Sequence, residues 1–159
     1  MSEPAIHELD PTLHQANIWL KEVMQRLKTE DAHIGHAAMR AALHALRDRI
    51  GPENAAHLGA QLPTIIRGIY YESWHPSGTP TKERRKQQFL DHVRSELRSA
   101  AAIDPEAATS AVFDVVCQNT SVGEGVKLAR LFPKEMRALW PAEVQAKAGL
   151  QDRQDQGQA

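Results

Sequence analysis

Displaced by 70 residues without a gap, the chain matches itself from Asn17–Tyr70 onto Gln87–Trp140. Leu20, Val23 and Leu27 fall on Leu90, Val93 and Leu97, while Leu58 falls on Leu128, Pro63 on Pro133 and Arg67 on Arg137. Trp19 meets Phe89 and Tyr70 meets Trp140. The 54 pairs hold 10 identities. Alanine-rich helices share some residues by chance, but chance does not place Leu58, Pro63 and Arg67 in one register with the first-helix triad. Duplication is the better reading. Two copies of one amphipathic unit each leave an apolar face uncovered, so the copies are expected to pack on each other as a pseudo-twofold pair. Residues kept by both copies then point to fold, and residues held by one copy point to function.

Helix punctuation repeats in the same order. Asp10-Pro11 reads as an N-cap with proline at the first helical position. Leu13, Leu20, Val23, Met24 and Leu27 follow at helical spacing. Asp31 can cap a second helix with the apolar stripe Ala38, Ala42, Leu46 and Ile50, Gly51-Pro52 ends it and opens a third, and Pro63 opens a fourth. In the second copy Thr79-Pro80 is read as starting a helix with Phe89, Leu90, Val93 and Leu97, and Asp104-Pro105 as starting the next. Ser121 to Glu124 reads as a capping box, Pro133 opens the last helix and Pro141 closes it. The expected fold is all-α: a single domain of about eight helices built from two pseudo-twofold-related four-helix halves. The expected boundaries are an N-terminal segment 1–10, a helical domain 11–141 and a polar tail 142–159 expected to be disordered. Within the domain, repeat A spans 11–74, a linker 75–80 and repeat B 81–141.

At 159 residues the chain is about one domain, long enough to bury roughly 70% of its unfolded surface without staples. A formal charge of −1 and a pI near 6.7 argue against nucleic acid as a partner, because that affinity comes mostly from positive charge. The single Cys117 excludes an intramolecular disulfide and a multi-cysteine zinc site. The first residues have neither the basic leader nor the apolar run of a signal peptide, and no stretch approaches the ~20 apolar residues of a membrane span. A cytoplasmic, reduced protein is expected.

The stretches ALHALRDRI, AAHLGAQLPTIIRGIYYESWHPSGTP and FPKEMRALWP resemble the bacterial family called domain of unknown function 2267. The resemblance runs from about Pro11 to Pro141 and implies an all-helical bacterial protein. It brings no activity, cofactor or catalytic residue with it.

The pairs Pro63–Arg67 and Pro133–Arg137 are the strongest motif. Each arginine can clamp an anion, or can fasten carbonyls at the turn between the short helices. Retention by both copies favours the fastener. Beyond Tyr70 the copies part: the first continues Tyr71-Glu72-Ser73-Trp74-His75-Pro76, and the second stops at Trp140-Pro141. Arg67, Tyr71 and Trp74 form a stripe at i, i+4 and i+7, which His75 extends. Such residues dominate binding hot spots, so this stripe is the candidate binding surface. The competing reading packs Tyr71 and Trp74 against the linker Ser77–Pro80.

Eight histidines raise the question of a metal. His33 with His36, and His36 with Arg40 and His44, have helical spacing, but a firm site needs three or four ligands. The series reads as a solvated polar face, with no metal site and no cofactor expected. Lys82-Glu83-Arg84-Arg85-Lys86 is a basic cluster placed at the start of the fifth helix, and Cys117 reads as a small semi-buried residue. The leading expectation is a non-enzymatic module that binds a protein partner or itself. The alternative is a bundle that binds a small ligand or cofactor between the halves, with Arg67 or Arg137 facing an anionic group. Catalytic residues are expected to be none, because no acid–base pair has suggestive spacing.

Overall fold

The computed structural model describes residues 7–98 and 102–158. A short 3-10 turn, His7–Leu9, leads into α1 (Asp10–Leu27), α2 (Ala32–Ile50), α3 (Pro52–Gly59) and α4 (Thr64–Tyr71). The 3-10 turn Pro76–Gly78 precedes α5 (Lys86–Leu97), α6 (Pro105–Asn119) and α7 (Val122–Arg130). The 3-10 helix Lys134–Leu139 and α8 (Ala142–Gly157) complete the order. The described residues are all helical, with no strand.

Burial on nearly every side makes α2 the axis of the fold. Ala38, Ala41, Ala42, Leu43, Ala45 and Leu46 are all fully buried. An amphipathic surface helix would bury one stripe, so this pattern requires neighbours all round. α2 packs on α1, α5 and α6 as well as on α3 and α4. α6 is its counterpart, burying Ala108, Val112, Phe113, Val115 and Val116 against α1, α2, α5 and α7. Alanines let these axes approach closely, and larger side chains fill the ends. Phe113 stacks on Trp140 at 4.2 Å between ring centroids, and Phe89 meets Phe132 edge-on at 5.4 Å. The positions 70 residues earlier are Trp19, Leu43, Leu62 and Tyr70, and all four are buried too.

Three of the expected caps form. Asp31 accepts from His33 N at 2.9 Å, Asp104 from Ala107 N at 3.2 Å and Ser121 from Glu124 N at 3.0 Å. Asp10 does not cap: it is the first residue of α1 and pairs with His7 instead.

Two boundaries need correction. Thr79-Pro80 does not start a helix, and α5 begins at Lys86. The intervening backbone is spent on α2, with Thr81 N bonding Asp48 O at 2.9 Å and Glu83 O accepting from Arg49 at 3.0 Å. Gln88 then turns back to accept from the amides of Arg84 and Arg85, which closes the N-terminus of α5. The basic cluster therefore lies mostly ahead of the helix, with Lys82, Arg84 and Arg85 exposed.

The expectation of a disordered tail at 142–159 also fails. Residues Ala142–Gly157 form α8, which buries Val144 and Ala148. Its apolar face is too narrow to register as amphipathic. Charge completes the docking instead: Asp152 pairs with Arg130 at 3.1 Å and with Arg137, and Asp155 pairs with Arg130.

Candidate functional site

The turn that follows α4 is built from α2 outward. α4 buries Ile66 and Tyr70, and the Tyr70 hydroxyl donates to Ala55 O at 2.7 Å. Burial raises the Tyr70 phenol far above its ordinary value, so it stays a neutral donor. The last carbonyls of α4 have no partner within the helix, and α2 supplies them. His44 Nε2 donates to Ile69 O at 2.7 Å, and Arg47 donates to Tyr70 O and Glu72 O, both at 2.8 Å. Cationic donors suit the negative end of a helix.

These capping side chains belong to a longer polar seam. His44 Nδ1 lies 3.1 Å from Glu96 Oε2, and Arg40 bonds Glu72 and the Glu96 carbonyl, each at 3.2 Å. Both partners of the His44 ring are acceptors, so both bonds form only when each ring nitrogen carries a proton. Arg47 also bonds Asp48 at 2.8 Å. His92 of α5 lies between two carboxylates, 3.6 Å from Asp48 and 2.8 Å from Glu83. Asp48 and Glu83 together raise its pKa to about 9, against the opposing effect of burial. Burial pushes the carboxyls of Asp48 and Glu83 up, but the His92 bonds outweigh it and hold both below their ordinary range. The His44 bond does the same for Glu96.

The reading of His36, Arg40 and His44 as one solvated face is therefore wrong beyond its first residue. His36 is exposed, but His44 is only 1% exposed because α4 and α5 close over it. Arg40, His44, Arg47 and Asp48 share one side of α2 at helical spacing. That stripe is visible in the sequence, but nothing local says that two helices cover it. The seam holds each charge against an opposite charge or a carbonyl, which fixes the α4 turn and leaves no free acid or base for chemistry.

On this support stand the residues singled out from the sequence. α4 ends at Tyr71, and Ser73 takes a left-handed backbone (φ 57°), so the chain doubles back. Trp74 N bonds Tyr71 O at 3.2 Å and the two rings lie 5.1 Å apart, with Tyr70 stacked 4.9 Å from Tyr71. Tyr71 and Trp74 are half-buried against the edge of the core, and His75 is exposed. The Tyr71 hydroxyl lies over Gly59, 2.1 Å from where a Cβ would stand, so only glycine fits beneath it. The stripe thus has an anchored side and an open side.

Arg67 and Arg137 act alike at one atom and differ at the rest. Arg67 Nε donates to Gly59 O at 2.7 Å and Arg137 Nε to Ala129 O at 3.2 Å, each eight residues back. Arg67 adds Leu62 O at 2.8 Å and Ala60 O at 3.3 Å, whereas Arg137 reaches Asp152. Both prolines have extended backbones ahead of the element they open, although Pro133 opens a 3-10 helix.

The remaining candidates are quiet. Cys117 packs against Gly125 and Val144 at the α6–α7 junction, and burial pushes its thiol up to about 12. Among the described residues no group of three His, Cys, Asp or Glu side chains is placed to hold a metal. A cavity of about 320 Å³ lies at the junction of α1, α2 and α6, lined by Leu27, Thr29, Ile34, Ile103 and Asp104 among others. Neither Arg67 nor Arg137 lines it, and it presents no basic group to an anion. Among the described residues no helix is long and apolar enough to cross a membrane.

No curated protein matches the chain in sequence. One family model does, described as an uncharacterized conserved protein (DUF2267), over residues 16–139. That span runs from α1 through the 3-10 helix after α7 and contains both Pro–Arg elements, the polar seam and the Tyr71–Trp74 turn, so the chain belongs to the DUF2267 family.

Proposed function

We propose that this protein is a non-enzymatic helical interaction module that binds a protein partner, or a second copy of itself, through the turn Arg67, Tyr71, Trp74 and His75. The observation that carries this reading is the stacked Tyr71–Trp74 pair, half exposed beside an exposed His75. The α2 side chains cap the backbone beneath it. A rigid aromatic pair costs little entropy to immobilise, which suits it to anchor an interface. An intracellular role agrees with the lone reduced cysteine. The internal duplication belongs to the same reading. Its support is the shared register of buried residues and the common arginine-to-carbonyl bond, and the turn is where one copy carries something the other lacks.

The test is affinity capture from a lysate of the source cell, with wild type compared against a Tyr71→Ser/Trp74→Ser variant, alongside sedimentation of each. The reading expects a partner or a self-associated species that wild type retains and the variant loses, with melting curves that stay cooperative. Equal capture and equal sedimentation would overturn it. So would unfolding of the double variant, provided that His75→Ala with Trp74→Phe also changes nothing.

A further inference from the structure

We infer that the surface of α3 and α4 around Arg67 docks an acidic amphipathic helix from a partner protein, in the way α8 covers α7 around Arg137. The inference rests on the interaction-module reading and names the partner's chemistry. The two arginines stand 70 residues apart and make the same Nε bond, to Gly59 O and to Ala129 O. The second arginine then meets a carboxylate, Asp152 of α8. The first meets none. Its Nη2 folds back to the carbonyls of Ala60 and Leu62, and among the described residues its Nη1 has no acceptor. Arg67 is also exposed.

The resident helix shows what an occupant of the first surface requires. α8 buries Val144 and Ala148 one turn apart and brings Asp152 to the arginine one turn later. Val144 lies 3.0 Å from where a Cβ on Gly125 would stand, so α7 and α8 approach closely. α8 also lies beyond the span that the family model matches, 16–139, whereas both arginines lie within it.

On α3 the corresponding outer surface is bare. Ala56, His57 and Ala60 are exposed, and Ile65 at the start of α4 is 36% exposed. Small side chains there leave room for a helix backbone, Ile65 offers apolar contact and Arg67 offers the charge. An apolar residue, a small residue and an aspartate at i, i+4 and i+8 match that order. A carboxylate at Arg67 would gain a charge-assisted bond that the Ala60 and Leu62 carbonyls do not supply. Tyr71, resting on Gly59, bounds the surface at one end and joins it to the proposed aromatic anchor.

The probe is a synthetic peptide of residues 141–158, added to the full-length protein and followed by amide NMR shifts. Saturable shifts are expected at Ala56, Ala60, Ile65 and Arg67. A peptide with Asp152→Asn should bind about tenfold more weakly, as loss of one charged hydrogen bond predicts. Ala60→Glu in the protein supplies Arg67 with an internal carboxylate and should abolish the shifts without moving the melting curve. Absence of saturable shifts overturns the inference. So do shifts confined to α7, which mark exchange with the resident helix, and equal binding of the Asp152→Asn peptide. If the peptide fails while the Tyr71/Trp74-dependent capture persists, only the helix partner is wrong. If both are lost, the module reading falls with it.

Discussion

Gly59 and Tyr71 illustrate how a single contact sets the sign of a substitution. Alanine in a helix is ordinarily more stable than glycine by about 1 kcal/mol. At Gly59 the new Cβ would meet the Tyr71 hydroxyl at 2.1 Å, so the ring must move. Gly59→Ala is expected to destabilise by about 1–2 kcal/mol and to change tryptophan fluorescence through Trp74. In a Tyr71→Ala background the same change should stabilise instead, and thermal melts of the four proteins decide it. His92 supplies a second prediction. Its folded pKa of about 9 exceeds its ordinary 6.5, so its bound proton contributes full stability below about pH 6.5. That contribution is lost as pH rises through about 9. Asp48 and Glu83 have lowered values and act in the opposite sense, contributing above the ordinary carboxylate range and failing as pH falls through their folded values. Urea midpoints should therefore fall from pH 6.5 to pH 9 in wild type and stay nearly flat in His92→Gln. Arg47 is 3% exposed and holds two carbonyls, so Arg47→Ala should cost about 3 kcal/mol or more in urea titration.

At the scale of elements, charge docks α8 as much as apolar burial does. Val144 and Ala148 alone make a narrow face, and Arg130, Arg137, Asp152 and Asp155 complete it. Asp152→Asn is expected to fray α8 before the rest of the molecule melts, with a larger effect at low salt than at high salt. Hydrogen exchange of residues 142–157 in both salts checks this. The same element shows why part of the molecule was hard to read. Gln, Asp and Lys dominate its sequence, and composition describes such a segment as a tail unless the partner arginines are known. α5 posed the reverse problem. Thr79-Pro80 looks like a helix start, but the chain stays extended to Arg85 because Asp48 and Arg49 of α2 bind it.

The whole molecule is tied together by α2 and α6, each of which packs on helices from both halves. Neither half keeps its core without the other, since Ala38, Ala42, Leu46, Val112 and Val116 would lose neighbours. Fragments 1–75 and 79–159 are each expected to be unfolded by circular dichroism, and mixing them should restore helicity. Phe113→Ala removes a ring that stacks on Trp140 and approaches Phe89 and Phe132, and should cost about 3–5 kcal/mol in a single cooperative transition.

The order of the α-helices through α7, most of their caps and the paired buried residues were legible in the chain, because capping and periodicity are local. Leu58, Leu128, Trp19 and Phe89 declare themselves core by spacing alone. The roles of His44, Arg47 and His92 were not legible. Whether a polar stripe meets water or another helix depends on what folds across it, and α4 and α5 arrive from elsewhere in the sequence. The candidate turn was half legible for the same reason. Its residues stood out where the two copies diverge, whereas the α2 side chains that hold it, the glycine beneath Tyr71 and the missing carboxylate at Arg67 exist only once the helices are packed.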